Sequence, residues 1–337
     1  MKKEKSVAVD GPVYYRLIAL WVICEAVLGG MIHGLKLPIS GLIVGSCAVI
    51  CISLIAYYVP IRGAILKATI IVAIFKMLLS PHTPPAAYIA VFFQGAVGQL
   101  LFSNRKFFKA SCILLGLLAL VESALQRIIV LVVLYGNNFW NAVNQFISKI
   151  SGDASVTNYS LAFAVGYVIL HAVVGIGVGL LSIFIVKKTQ HFSSIHTEYL
   201  IKDETDILLQ PNRKRKNIKI IFIVCWIILL LLFLQSFLQI GDPILPAVDA
   251  LHIFIRSLFI LLSWYLLVNP LISYYFKKWL KGQQSKSEKH IAQVALLLPS
   301  TQYIFKKSWK LSASKKGLKR IAECCKIILI NTLYKHA

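Results

Sequence analysis

Acidic residues are scarce in this chain: 13 Asp and Glu stand against 36 Lys and Arg in 337 residues, for a formal charge of +23. In a soluble protein that excess would point to nucleic acid. The composition excludes it, because 58% of the residues are apolar and the mean hydropathy is +0.75, the range of polytopic membrane proteins. Enzymatic signatures are missing as well. There is no Walker sequence, no HExxH, no GxSxG and no Asp-rich pair for prenyl diphosphate chemistry. The chain is therefore read as a non-enzyme, and any ATP-driven activity would need a separate ATPase. The seven cysteines form no CxxC and no Cys/His metal spacing, so neither a disulfide framework nor a zinc site is expected, and no cofactor is implied. No small-residue cleavage site follows the first apolar run, which reads as a retained span.

What the chain does have is long apolar runs. They predict an all-α fold with about eight membrane spans, near 14–33, 39–58, 64–80, 86–102, 110–135, 159–186, 218–240 and 250–276. With the N-terminus inside, 31 of the 36 basic residues fall in segments 1–16, 59–67, 103–109, 187–219 and 277–337. Only Lys36 and Lys149 lie on the other side. That bias orients the chain in a cell inner membrane with both termini in the cytoplasm.

Four parts follow. Residues 1–187 form a six-span unit, 188–217 a basic cytoplasmic linker, 218–276 a two-span unit, and 277–337 a basic cytoplasmic region. The linker ends in Asn-Arg-Lys-Arg-Lys-Asn, suited to the anionic inner leaflet. Gly136–Asn158 is expected as an outer loop rich in Asn and aromatic residues. In the last region 14 basic residues face 2 acidic ones. Ile291–Leu298 is apolar and is expected to stop at Pro299. From Leu318, apolar residues at Ile321, Cys325, Ile328 and Thr332 predict an amphipathic helix at the membrane surface or against a partner. Small residues at four-residue spacing, Gly30 and Gly34, Gly41 and Gly45, Gly175 and Gly179, allow close helix approach.

Polar groups at membrane depth are few: Glu25, Lys76, Gln94, Glu122, Gln126, Arg127, His171 and Arg256. Such groups face protein, water or a ligand. Lys76 and Gln94 flank a Ser-Pro-His-Thr-Pro-Pro turn within 64–102, and His33, His82 and Trp140 fall at outer helix ends. Lys76, Gln94, His82, His33, Trp140, Glu122 and Arg127 are the candidate solute-binding residues. Lys76 would suit a carboxylate or phosphate. The same groups could instead pair between helices, Glu25 or Glu122 with Lys76 or Arg127. His171 and Glu122 could be drawn as a catalytic pair, but nothing supplies a nucleophile or an oxyanion site.

Residues 14–187, with six spans, glycine-rich first helices, the Val59-Pro-Ile-Arg-Gly inner turn and the SPHTPPAAYIAVFFQG hairpin, resemble the substrate-binding S component of energy-coupling factor (ECF) transporters. Residues 218–337 resemble the transmembrane T component. There a proline-started helix leads to an Ala-Arg-Gly signature on the helix that docks on the ATPases, and here Pro299 precedes Ala313-Ser-Lys-Lys-Gly317. The resemblance implies uptake of a vitamin-type or other small solute from outside. It implies ATPase partners, and a coupling role for Lys315, Lys316, Gly317, Lys319 and Arg320. It also implies that the first helix packs on the T-like part. Two other functions remain open: a non-transporting scaffold whose basic tail recruits a partner or anionic lipid, and an intramembrane enzyme.

Overall fold

The structure is a computed structural model that describes residues 11–30, 40–80, 85–151, 159–191, 201 and 269–334, with single positions between 251 and 268. The described residues contain helices and no strand. The chain divides into two compact units: Met1–Val121 with Ala172–Gln210 and Tyr275–Ala337, and Glu122–His171 with Pro211–Tyr274.

The first unit holds most of the architecture. Pro12 starts α1 (Pro12–Val22), its fixed φ suiting a first helical turn. The helix then widens into a π segment, Ile23–Leu28. Next come α2 (Ser40–Tyr58), α3 (Ala64–Leu79) and α4 (Pro85–Leu101). Gly63, at φ +82, makes the turn into α3 that an L side chain would strain. Two long helices follow, α5 (Phe108–Ser151) and α6 (Tyr159–His191). Three more close the described chain: α7 (Asn269–Lys286), α8 (Glu288–Leu311) and α9 (Gly317–Tyr334).

Among the described residues, three helices are long and apolar enough to cross a membrane: Ser40–Tyr58, Phe108–Gly136 and Tyr159–Gln190. The eight runs of the sequence do not all become such helices. α3 and α4 stop at 16 and 17 residues, and α1 with its π segment is 17 residues from Pro12 to Leu28. The run 218–240 and most of 250–268 lie outside the described residues. The chain is thus helical and suited to a membrane, with α5 and α6 showing exposed apolar flanks (Ile129, Leu161, Phe163, Phe184) where lipid would sit.

Glycine sets how closely α5 and α6 approach. A Cβ on Gly116 would stand 2.2 Å from the Gly175 carbonyl oxygen, and one on Gly175 would stand 2.5 Å from that of Gly116. Gly179 lies as tightly against Ile113 and Cys112. The Gly175/Gly179 spacing therefore does what the sequence suggested. Gly45 instead makes room for the Leu120 side chain.

Two expectations about the loops change. The stretch after Gly136 is not an open loop but continues as helix to Ser151, beyond a break at Gly136 (φ 68°, ψ −172°). In the second unit, Asn144 Oδ1 accepts the backbone N–H of Ser160 at 2.7 Å, tying that extension to the start of α6. Pro299 does not end or start a helix either; it lies inside α8. It cannot donate to the preceding turn, and the hydroxyls of Ser300 and Thr301 both donate to the Leu297 carbonyl, at 2.9 and 2.7 Å. Packing of Val294, Leu298 and Ile304 into the core on either side holds the helix through the proline.

The region expected at the inner membrane surface packs on the chain's own first helix. α8 and α9 form an antiparallel hairpin against α1. Tyr15 Oη lies 2.6 Å from His290 Nδ1 with the rings stacked, which fixes the start of α8 beside the start of α1. α8 then runs along α1 to the π segment, and α9 returns, so that the Tyr334 hydroxyl donates to the Thr189 carbonyl next to Tyr58. The predicted apolar stripe on α9 is only half right. Ile328 and Thr332 are buried, but Leu318 is 84% exposed, and Ile321 and Cys325 are exposed too. Burial here follows position along the helix: Ile327 through Leu333 are all buried, whereas the first turns project beyond their neighbours.

Candidate functional site

Within the first unit, polar groups meet where the π segment, α2, α3 and α4 come together. Glu25 lies in the π segment, whose wider turn is seen in the bond from the Gly29 N–H to the Cys24 carbonyl. Segments of this kind cost stability and recur at functional sites. Lys76 lies one turn from the end of α3, where the Ser80 N–H returns to its carbonyl at 2.9 Å. The two side chains meet: Lys76 Nζ donates to Glu25 Oε2 at 2.8 Å, and their side chains are 3% and 2% exposed. The same ammonium donates to the Ala87 carbonyl at 3.2 Å and lies 5.9 Å from the centre of the Tyr88 ring. Carboxylate, carbonyl and aromatic face together compensate a charge that would otherwise be unaffordable at this depth.

Gln94, on α4, is 3% exposed. Its Oε1 has no hydrogen-bond partner among the described residues. Its amide nitrogen would stand 3.5 Å from a Cβ on Gly45, so the missing side chain there admits the amide. Val44, the neighbour of Gly45, meets Gly29 at the end of the π segment. On the other flank, the Cys24 thiol is in interaction range of Cys47 and Cys51, both on one face of α2. All three are free thiols, and no group of His, Cys, Asp or Glu with metal-binding geometry occurs among the described residues.

Of the candidate residues, then, Lys76 is engaged by Glu25, and Gln94 is buried with a spare acceptor. Glu122, Arg127 and Trp140 belong to the second unit, where each is partly buried. His171, 1% exposed, also lies there, with Nδ1 2.9 Å from the Tyr167 carbonyl. His33, His82 and Arg256 lie outside the described residues. Glu25 is not among the candidate binding residues, but of the interhelical pairs the sequence offered, Glu25 with Lys76 is the one present, and helix register supports it. Glu25 stands thirteen residues from Pro12 and Lys76 twelve from Ala64, and Tyr14 Oη donates to the Ala64 carbonyl at 2.7 Å. Two helices starting at one end of the bundle bring those positions to one depth.

The candidate coupling residues lie together at the turn between α8 and α9. Gly317, at φ +57, makes that turn in a conformation L residues rarely adopt. Lys315, Lys316 and Lys319 are exposed. The Arg320 guanidinium lies 4.1 Å from the centre of the Trp309 ring and donates to the Trp309 carbonyl at 3.2 Å. Lys315 Nζ contacts Glu323 Oε2 at 2.9 Å, and Lys326 lies 3.9 Å from the other oxygen. The turn is thus an ordered, basic tip with Leu318 among its lysines. It stands toward the π-helical end of α1, whereas Arg62 and Lys67 flank the end where Tyr14 meets Ala64.

No protein-family model matches the chain, and neither a curated protein nor a solved structure matches it.

Proposed function

We infer that this chain is the membrane component of an uptake transporter of the energy-coupling factor class. In this reading it has eight spans with both termini in the cytoplasm. The six-span part takes a small solute from outside, with Lys76 and Gln94 at its site, and separate ATPase subunits meet the cytoplasmic end, where α1 starts and Arg62 and Lys67 lie. The α8–α9 tip, with Lys315, Lys316, Gly317, Lys319 and Arg320, stands at the other end of α1 and takes no part in that coupling. One observation carries the reading: α1 packs along both helices of the C-terminal hairpin. That is the contact the resemblance implies between an S component and its T partner, here within one chain.

Chemical identification of what elutes from the purified, denatured protein tests it. A small solute is expected from the wild type and is lost from Gln94→Ala. Protein that carries no solute, together with unchanged growth of Gln94→Ala cells on scarce vitamin, would overturn the reading. The side of the tip is a second test. With α1 starting at the cytoplasmic face, Lys316→Cys should react with a membrane-impermeant maleimide from the outer face, and reaction from the cytoplasmic face alone overturns this orientation.

One observation favours a scaffold instead: Leu318 is 84% exposed among lysines, a pattern that also suits an anionic membrane surface. Release from phosphatidylserine vesicles by Leu318→Ser, with solute binding absent throughout, would select that alternative.

A further inference from the structure

We propose that the place held by the Glu25–Lys76 pair receives a zwitterionic solute, with its anionic group on Lys76 Nζ and its cationic group on Glu25. This deepens the solute-binding reading and rests on it. Charge balance at burial is the argument. The internal pair is neutral, at 2.8 Å and almost wholly buried. A solute with only a carboxylate or phosphate could take Lys76, but it would strand the Glu25 carboxylate in the same core. A cationic solute would strand Lys76. Removing one partner from a buried pair costs more than the new contact returns, because the remaining charge stays unsolvated. Only a solute that brings both signs replaces one internal pair by two external ones. Lys76 is thus less a site for any anion than one half of a two-charge site.

The surroundings fit an exchange of that kind. Lys76 keeps two further contacts, the Ala87 carbonyl and the Tyr88 ring, while its carboxylate partner changes. Glu25 lies on a π turn, and relaxing that turn toward α-helical winding rotates the carboxylate away from Lys76 without unfolding α1. Gln94 Oε1, buried and unpartnered on α4 beside Gly45 of α2, is a further acceptor in the same core. From α2 the polar group near Glu25 is the Cys47 thiol, and from α8 the buried side chains are the apolar Val294, Leu298 and Ile304 with the uncharged Thr301 and Ser308. Within this core neither neighbour offers a second counter-ion for a stranded charge.

The test is thermal unfolding of the purified full-length protein in detergent at matched ionic strength. The zwitterions glycine, β-alanine and γ-aminobutyrate are compared with acetate, propionate, ethylammonium and inorganic phosphate. At least one zwitterion is expected to raise Tm while the singly signed probes do not. The double variant Glu25→Gln/Lys76→Met leaves no stranded charge and should remain folded; it should lose the shift. Equal stabilisation by acetate, propionate or phosphate, no shift from any zwitterion, or a shift retained in the double variant overturns the proposal. Solute extracted from the wild type separates this inference from the reading beneath it. An extracted solute with one sign of charge overturns the zwitterion site and leaves uptake standing. No extracted solute and no shift from the panel overturn both.

Discussion

Two lysine–glutamate pairs in this chain have almost the same length and opposite meanings. Lys76–Glu25 measures 2.8 Å with side chains 3% and 2% exposed; Lys315–Glu323 measures 2.9 Å with 48% and 16%. At the tip, water solvates the Lys315 ammonium and still reaches Glu323, and closing the pair adds about 0–1 kcal/mol. In the core, each charge depends on the other, so the pair adds little beyond an apolar substitute of the same size, yet its rupture is severe. Distance alone says nothing about which of the two organises the molecule. Burial does.

That contrast can be broken in graded steps. The largest effect is expected from Glu25→Gln, which leaves the Lys76 charge without its carboxylate and should cost about 3–5 kcal/mol, measured by thermal unfolding in detergent. Glu25→Leu/Lys76→Met should recover most of the loss. If it is as unstable as the single variant, the pair is more than a matched set of charges. Next comes Gly175→Ala, which forces a Cβ into the Gly116 carbonyl at 2.5 Å and should cost about 1–3 kcal/mol. Gly177→Ala, with nothing within 4 Å, is the matched control and should be silent. Tyr15→Phe removes the bond to His290 at 2.6 Å and should cost about 1 kcal/mol, with faster proteolysis of the α8–α9 hairpin as its signature. Smallest is Lys315→Ala, expected within about 0.5 kcal/mol of wild type. A large loss there would mean that the tip, too, depends on a pair for its fold.

How much of this could be read from the residues differs by region. Helix starts at Pro12, Ala64 and Pro85 fall where proline or glycine punctuation puts them, because backbone geometry is local. The Gly175/Gly179 contact was legible for the same reason: a missing Cβ acts wherever two helices cross. The α8–α9 hairpin was not. Its lysines raise the cost of burial, so a hydropathy window scores it as surface, but Ile327–Leu333 are buried by neighbours far away in sequence. Pro299 misled in the same way, since tertiary packing of Val294, Leu298 and Ile304 outweighs one missing backbone bond. The charge count placed loops on a side of the membrane without saying which neighbour each loop stands beside. The tip's position at the far end of α1 was therefore invisible. At the site, the residues left two readings of Lys76 open, a solute contact or an interhelical pair with a glutamate, and the 2.8 Å contact selects Glu25 as its partner.

A buried solute site in the helical core, at Lys76 and Gln94, is what the uptake reading stands on. The most direct measurement is chemical identification of what the purified full-length protein releases on denaturation, wild type against Gln94→Ala. The account predicts a small solute from the wild type and none from the variant. A wild type that releases none, or a variant that releases as much, would contradict it.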